Sequence, residues 1–433
     1  MLFYNINNPA QVSNLKDAVF SAIGVGEGLY MPASIPRLNE DFFSHLQGMN
    51  LREIAFRVSS TMLSDDLPLQ AIERICEKAF TFDIPLKQLD ESIYVLELFH
   101  GPTLAFKDAG ARYMAALFEY LLEQEERQVT VLVATSGDTG SAVASAFYGC
   151  KGVNVIILFP SGRVSHIQEK MLTTMGGNIT AVEINGDFDD CQSLVKQAFS
   201  DPLLKNAIKL TSANSINFAR LFPQSFYYFY ALAQLRVNNK HVTISVPSGN
   251  FGNLTAGLMA YRMGLNVEKF IASTNRNHAV VDYLESGEYM PGKSIPTITN
   301  AMDVGSPNNF PRLKRIFNDD HEAVSSMIRG YWFNDDETMD GIRELYNRYS
   351  YISDPHGAVA WLGLKKYSPP AKNPGIFLET AHPVKFMPVV SNALDIDPDL
   401  PEKIRYYLES EGNAVRMEAS YSRFRDFLLS TAG

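Results

Sequence analysis

Cysteine is scarce in this chain: three residues, Cys76, Cys150 and Cys191, an odd number with no CxxC pair. Such spacing builds neither a disulfide framework nor a zinc knuckle, and cytoplasmic residence is the simplest expectation. The eight histidines form no HxxxH or HExxH pair, so no metal site is expected. Long apolar runs are missing too. The longest, FYYFYALA at 226–233, falls far short of the ~20 residues that cross a bilayer. No basic segment followed by an apolar one opens the chain, so no signal peptide is expected. Positive charge is in deficit, with 38 Lys and Arg against 48 Asp and Glu. That balance argues against a nucleic-acid or anionic-membrane partner while leaving room for a local basic pocket. A small-molecule substrate and a monomer or weak homo-oligomer are the remaining expectations.

What is present is strand–helix alternation. VTVLVAT (129–135) is a β-branched run broken at Ser136-Gly137 and followed by the helical pattern SAVASAFYG. VNVIILF (153–159), ITAVEI, HVTISVP (241–247), KFIAST (269–274) and GIFLET (375–380) are further strands. Helices are predicted over about 164–175, 189–199 and 215–235, and in LTAGLMAYRMG. This alternation predicts an α/β protein with parallel sheets and right-handed crossovers. The first 95 residues read as a mostly helical N-terminal module with a GVGEGLYMP loop, and 276–370 as a polar stretch without a clear element assignment.

Several patterns mimic chemistry. GEYMPGKS (287–294) satisfies a phosphate-loop expression, but a helical pattern precedes it and Pro296 follows, so the strand–loop–helix context is missing. DIDPDLPE from Asp395 has Leu400 where a calcium loop needs glycine and reads as a solvated turn. GVGEG lacks the preceding strand of a dinucleotide loop. The two FNDD segments (317–320 and 333–336) read as helix caps and turns.

Four segments keep their context. PSGNFGN (247–253) stands between a buried strand and a helix; Gly249 and Gly252 let its backbone curl, and its amides with the helix dipole suit a phosphate. ATSGDTGSA (134–142) places Ser136 and Thr139 at a helix start, where they suit a carboxylate, with Asp138 as a cap or a site residue. SANSINFAR (212–220) offers Asn214, Ser215 and Arg220, read either as a second anion site or as a cap beside a surface arginine. Lys107 stands at the mouth of a helix predicted from Asp108, with an apolar stripe at 109, 113, 116, 117, 120 and 121. Burial and the helix dipole there would lower its pKa, as a Schiff-base amine requires; a snorkelling side chain is the plainer alternative. His356, in SDPHGAVA, reads equally as a cap or a site residue.

In this order, AVFSAIGVGEGLYMP, ELFHGPTLAFKD, TSGDTG, SANSIN, VPSGNFG and TAHPVKF resemble the threonine synthases of the bacterial and fungal type over nearly the whole chain. These are fold-type-II pyridoxal 5′-phosphate enzymes. The resemblance implies the tryptophan-synthase-β-like architecture: an N-terminal module (1–95), a large cofactor-binding α/β domain (96–130 and 236–433) and a small one (131–235). It implies conversion of O-phospho-L-homoserine and water to L-threonine and phosphate, the last step of threonine biosynthesis. Lys107 would carry the cofactor and then move protons; Gly249, Asn250, Phe251, Gly252 and Asn253 would hold its phosphate, and Thr380 its ring nitrogen. Asp138 would lie beside the ring oxygen, its charge partner left open. Ser136 and Thr139 would take the substrate carboxylate, and Asn214, Ser215 and Arg220 its phosphate. Another fold-type-II lyase, such as a threonine or serine dehydratase, is the alternative, followed by a cofactor-binding protein without turnover.

Overall fold

The computed structural model describes residues 1–24, 26, 28–123, 128–235, 241–369 and 373–431. Val25 and Glu27 of the GVGEG pattern therefore lie outside the described residues. Two largely parallel sheets carry the chain, as the alternation predicts. The larger has strands in the order Ile328–Trp332, Val267–Thr274, Val242–Pro247, Gly375–Glu379, Ile93–Glu97 and Leu86–Gln88. All its pairings are parallel except the antiparallel edge of Leu86–Gln88. The smaller runs Val415–Glu418, Ile179–Asn185, Val153–Pro160, Val129–Ala134 and Lys209–Ser212, parallel throughout. The central strands Val129–Ala134, Val242–Pro247 and Gly375–Glu379 are buried at every position. Helices cover both faces of such strands, which is why they read as unbroken apolar runs rather than as alternation.

The N-terminal module carries the helices Leu15–Ser21, Glu40–His45, Leu51–Leu63 and Leu69–Ala79, as its pattern predicts, and adds a three-stranded antiparallel sheet of Asn8–Ser13, Phe3–Asn5 and Tyr30–Pro32. Two of those strands have only three residues, too short for a hydrophobic period to show. Two readings need correction. The polar 276–370 stretch holds ordered helices, Ala279–Ser286, Phe310–Ile316, His321–Met327, Asp335–Tyr349 and Pro355–Tyr367, with the strand Ile328–Trp332 among them. The predicted helix over 215–235 is broken into Phe218–Leu221, a 3₁₀ turn Phe222–Ser225 and Phe226–Gln234. Pro223 lacks the amide that would continue a single ladder. In addition Val415–Glu418 pairs with Ile179–Asn185 of the smaller sheet, although the expected 236–433 division grouped it with the larger one.

GEYMPGKS and the two FNDD segments behave as read. The helix Ala279–Ser286 ends on Gly287, and no helix opens within 287–299. Asp320 and Asn334, in the two FNDD segments, each cap the helix that follows. No helix among the described residues is long and apolar enough to cross a membrane.

The aromatic segment packs the modules together. Phe218 and Phe222 stack, Phe3 meets Phe218 edge-on at 4.8 Å, and Phe226 meets Phe80 and Tyr113. Arg312, wholly buried, donates to the carbonyls of Tyr30, Ser215 and Ile216 and to Asn309 Oδ1. Burial alone pulls its pKa down to about 9. The guanidinium thus ties the N-terminal sheet to the loop after Lys209–Ser212. Five loops consequently converge at the carboxyl ends of the strands of both sheets, where ligands of open α/β sheets bind.

Candidate active site

A cleft of about 930 Å³ lies between the sheets, lined by Lys107, Asp138, Arg220, Asn253, His356 and Thr380 among others. Lys107 is the first residue of the helix Lys107–Leu122, one position earlier than the pattern suggested. Its side chain is 16% exposed, enough for the amine to be reached from the cleft. The preceding loop is stitched to the end of Gly375–Glu379: Phe106 N–H donates to Thr380 O at 2.9 Å, and His382 N–H to Leu104 O at 3.0 Å. Those bonds hold Lys107 and Thr380 on one wall, although they are far apart in sequence.

The sequence left the charge partner of Asp138 open; the structure supplies it. Lys385 Nζ is 2.5 Å from Asp138 Oδ1, with both side chains buried, while Lys107 Nζ is 3.8 Å from Oδ2. Gln168 Nε2 donates to Oδ1 at 2.9 Å, and Lys385 also donates to Thr103 O. Burial alone would raise the pKa of this carboxyl, but Lys385 and Lys107 with these hydrogen bonds hold it well below the usual carboxylate range. Burial lowers the pKa of Lys107; Asp138 opposes that shift, Lys385 and Arg220 add to it, and Asp354 opposes it. Asp138 does not cap its helix. Thr135 Oγ1 takes that place, accepting from the amides of Gly137 and Gly140 at 2.9 Å each. Ser136 and Thr139 are left facing the cleft.

The glycine loop has the shape of an anion cradle. Phe251 is held at φ 57°, in the left-handed region, and the helix Gly252–Arg262 opens directly after it. First-turn amides of a helix have no intrahelical acceptor, so they are available to a ligand. A Cβ on Gly249 would stand 2.6 Å from Met302 Cα, which makes glycine obligatory where the 300–304 segment crosses the loop. Asn253 Oδ1 accepts from the hydroxyls of Tyr227 and Tyr228 at 2.6 and 2.7 Å, while its buried Nδ2 has no partner among the described residues. That orphaned donor, in a cleft-lining residue of the first helical turn, fits a phosphate there.

A buried guanidinium lines the same cleft. Arg220 is 3% exposed, yet no carboxylate among the described residues lies within ion-pair range, and its Nε has no partner. One nitrogen, Nη1, donates to Ala213 O at 2.7 Å. Burial lowers its pKa to about 10, with Asp108 opposing, so the guanidinium keeps its charge. A Cβ on Gly110 would lie 2.6 Å from Arg220 O, and this close approach explains a glycine inside the Lys107 helix. Ser215 Oγ accepts from Asn250 Nδ2 at 3.1 Å and Asn309 Nδ2 at 3.0 Å, which leaves its proton free to donate. Asn250 Oδ1 in turn accepts from Asn308 N–H, so this side chain joins the two anion loops. Asn214 is less available than expected, since its Nδ2 donates to Ala134 O and its Oδ1 accepts from Ser212 Oγ.

Several contributors were invisible in the sequence. Lys385 and Gln168 meet Asp138 from 247 and 30 residues away. His356, which the sequence offered as a cap or a site residue, lines the cleft and holds the 300–304 segment that crosses the glycine loop. Its Nδ1 meets Asp354 Oδ2 at 2.9 Å and its Nε2 accepts from Ala301 N–H at 3.3 Å, which assigns the proton to Nδ1. Asp354, not His356, caps Pro355–Tyr367. Glu379, buried next to Thr380, accepts from Ser353 Oγ and Asp354 N–H; burial and the Asp354 charge raise its pKa well above normal.

Comparison with known proteins agrees with this geometry. Residues 78–374 match the family model described as pyridoxal-phosphate dependent enzyme, residues 3–80 that of the threonine synthase N terminus, and residues 357–428 that of the threonine synthase C-terminal region. The chain is 44% identical over 432 residues to a threonine synthase of Haemophilus influenzae, covering 100% of both chains. It is 40% identical over 431 residues to that of Escherichia coli, covering 99% of this chain and 100% of the relative. The crystal structure of the Escherichia coli enzyme superposes with a TM-score of 0.93 at 39% identity, covering 100% of both chains. A pyridoxal-phosphate-bound threonine synthase from Brucella melitensis also gives 0.93, at 33% identity over 100% of this chain and 99% of that one.

Proposed function

The chain belongs to the threonine synthase family of pyridoxal-phosphate-dependent enzymes, and we propose that its cleft converts O-phospho-L-homoserine and water to L-threonine and phosphate with the residues named above. The observation that carries the substrate reading is Arg220, a buried guanidinium with no carboxylate partner among the described residues. Charges are buried only when paired, so a pocket that keeps one bare is built for an anionic ligand. The glycine loop offers a separate anion site, and a phosphorylated substrate bound beside a phosphorylated cofactor needs two. A dehydratase acting on unphosphorylated serine or threonine needs one.

The cofactor, when bound, supplies an electron sink that makes the substrate's α-hydrogen acidic. The amides of Gly249, Asn250, Phe251, Gly252 and Asn253 and the Asn253 side chain would hold its phosphate, Thr380 would meet the ring nitrogen, and Lys107 would carry it. Ser136 and Thr139 grip the substrate carboxylate at the start of the helix Asp138–Phe147, whose dipole favours it. Arg220 and Ser215 grip the substrate phosphate and neutralise the charge that builds as phosphate departs. Lys107 Nζ, whose pKa burial lowers, takes the α-proton and returns protons along the substrate chain. Incubating the holoenzyme with O-phospho-L-homoserine tests this reading. Threonine and phosphate in equal amounts are expected; phosphate accompanied by a keto acid and ammonia would instead identify a deaminating lyase.

A further inference from the structure

In the Lys107–Asp138–Lys385 cluster two lysines share one carboxylate, and the pairing is lopsided. Lys385 touches Asp138 Oδ1 at 2.5 Å and is fully buried, whereas Lys107 stands 3.8 Å from Oδ2. Gln168 occupies the same oxygen as Lys385, and the carbonyl of Thr103 fixes the Lys385 ammonium from its other side. We propose that Lys385 is a positioning residue that takes Asp138 as its own counter-ion and so leaves Lys107 without one. This inference rests on Lys107 being the lysine that carries the cofactor.

The physical argument is one of competition. A buried carboxylate must be paired, and if Lys107 were its sole partner the two would form a tight ion pair. The amine would then be locked as an ammonium, which can neither attack an aldehyde nor accept a proton. With Lys385 in place, Asp138 and Lys385 form a neutral unit, and the remaining groups decide the state of Lys107. Those groups are Arg220 on Phe218–Leu221, Asp354 at the N-cap of Pro355–Tyr367, and Asp138 itself across the 3.8 Å to Oδ2. Asp108, the next residue in the chain, is turned away and accepts from Thr103 N–H at 2.9 Å and Thr103 Oγ1 at 2.7 Å. The 3₁₀ turn Pro383–Phe386 that presents Lys385 follows Thr380 directly, so one chain segment sets both the cofactor wall and this counter-charge.

The test follows the full-length chain, stripped of cofactor, as it takes up pyridoxal phosphate at a series of pH values. The amine adds to the aldehyde with loss of water, which requires the neutral amine, and borohydride traps the adduct for peptide mass spectrometry. The pH at half-maximal uptake rate at Lys107 is the readout. Lys385→Met removes the cation and returns Asp138 to Lys107, so the midpoint should rise by about 1 unit or more. Lys385→Arg keeps the charge and should stay within about half a unit of wild type. An unchanged or lowered midpoint in Lys385→Met overturns the proposal. Asp138→Asn/Lys385→Met carries no unpaired buried charge and keeps the test decisive should Lys385→Met fail to fold. Removing a neutral pair leaves the midpoint near wild type; a fall of about 1 unit or more would show Asp138 to be the counter-ion of Lys107, and overturn the assignment. An adduct trapped at a different lysine would instead refute the reading of Lys107 on which this rests.

Discussion

Lys107→Ala is expected to lower threonine formation by at least about 10³-fold, the upper part of the range for losing a positioned acid–base group, because it also removes the covalent hold on the cofactor. The loss should be chemical rather than structural. Lys107 is the first helical residue, where alanine is a good helix former, and its side chain makes no close hydrogen bond in the cluster around Asp138. The Asp138–Lys385 pair stays whole, so no buried charge is stranded by the substitution. Two measurements check this: borohydride-treated protein should keep the mass of the bare chain, and the melting temperature should hold. Turnover within tenfold of wild type would contradict the role.

Arg220→Ala ranks second. Truncating the cationic partner of a buried, hydrogen-bonded anion contact costs about 2–5 kcal/mol, so kcat/KM for the phosphorylated substrate should fall by about 30-fold or more. Cofactor affinity should change little, since the glycine loop is built by Gly249–Asn253 and the Tyr227 and Tyr228 hydroxyls rather than by Arg220. Arg220→Lys keeps the charge but loses the planar fork, and should lie between the two. The split between substrate and cofactor is what separates a lost anion site from a loosened fold. Equal losses of both would point to the latter, because Arg220 also braces the loop through Ala213 O.

Much of this site could be read from the chain because its parts are local. A glycine loop between a buried strand and a helix, or a lysine at a helix mouth, is written within some ten residues, and both lie where the sequence indicates. Strands buried on both faces are equally legible, since their apolar runs need no partner to be recognised. What escaped depends on which distant groups meet. Lys385 lies in a proline-containing turn, where a lysine reads as solvent-facing; its burial comes from Asp138, 247 residues earlier. Arg312 sits in a polar segment with no visible period, and its role exists only through carbonyls at Tyr30, Ser215 and Ile216. Asn214 shows the converse: its amide suits an anion, yet one N–H goes to Ala134 O and its Oδ1 accepts from Ser212 Oγ. Type and context of a polar side chain are local properties, whereas its spare hydrogen bonds are decided by the tertiary structure.

The proposed function requires two separate anion sites in the cleft that Lys107 lines. A crystal structure of the holoenzyme with an unreactive phosphonate analogue of O-phospho-L-homoserine tests it most directly. The account predicts the phosphonate within hydrogen-bond distance of Arg220 and Ser215 Oγ, with the cofactor phosphate on the amides of 249–253. A phosphonate lying farther out in the cleft, against Lys196 or Lys205 and away from Arg220, would contradict it.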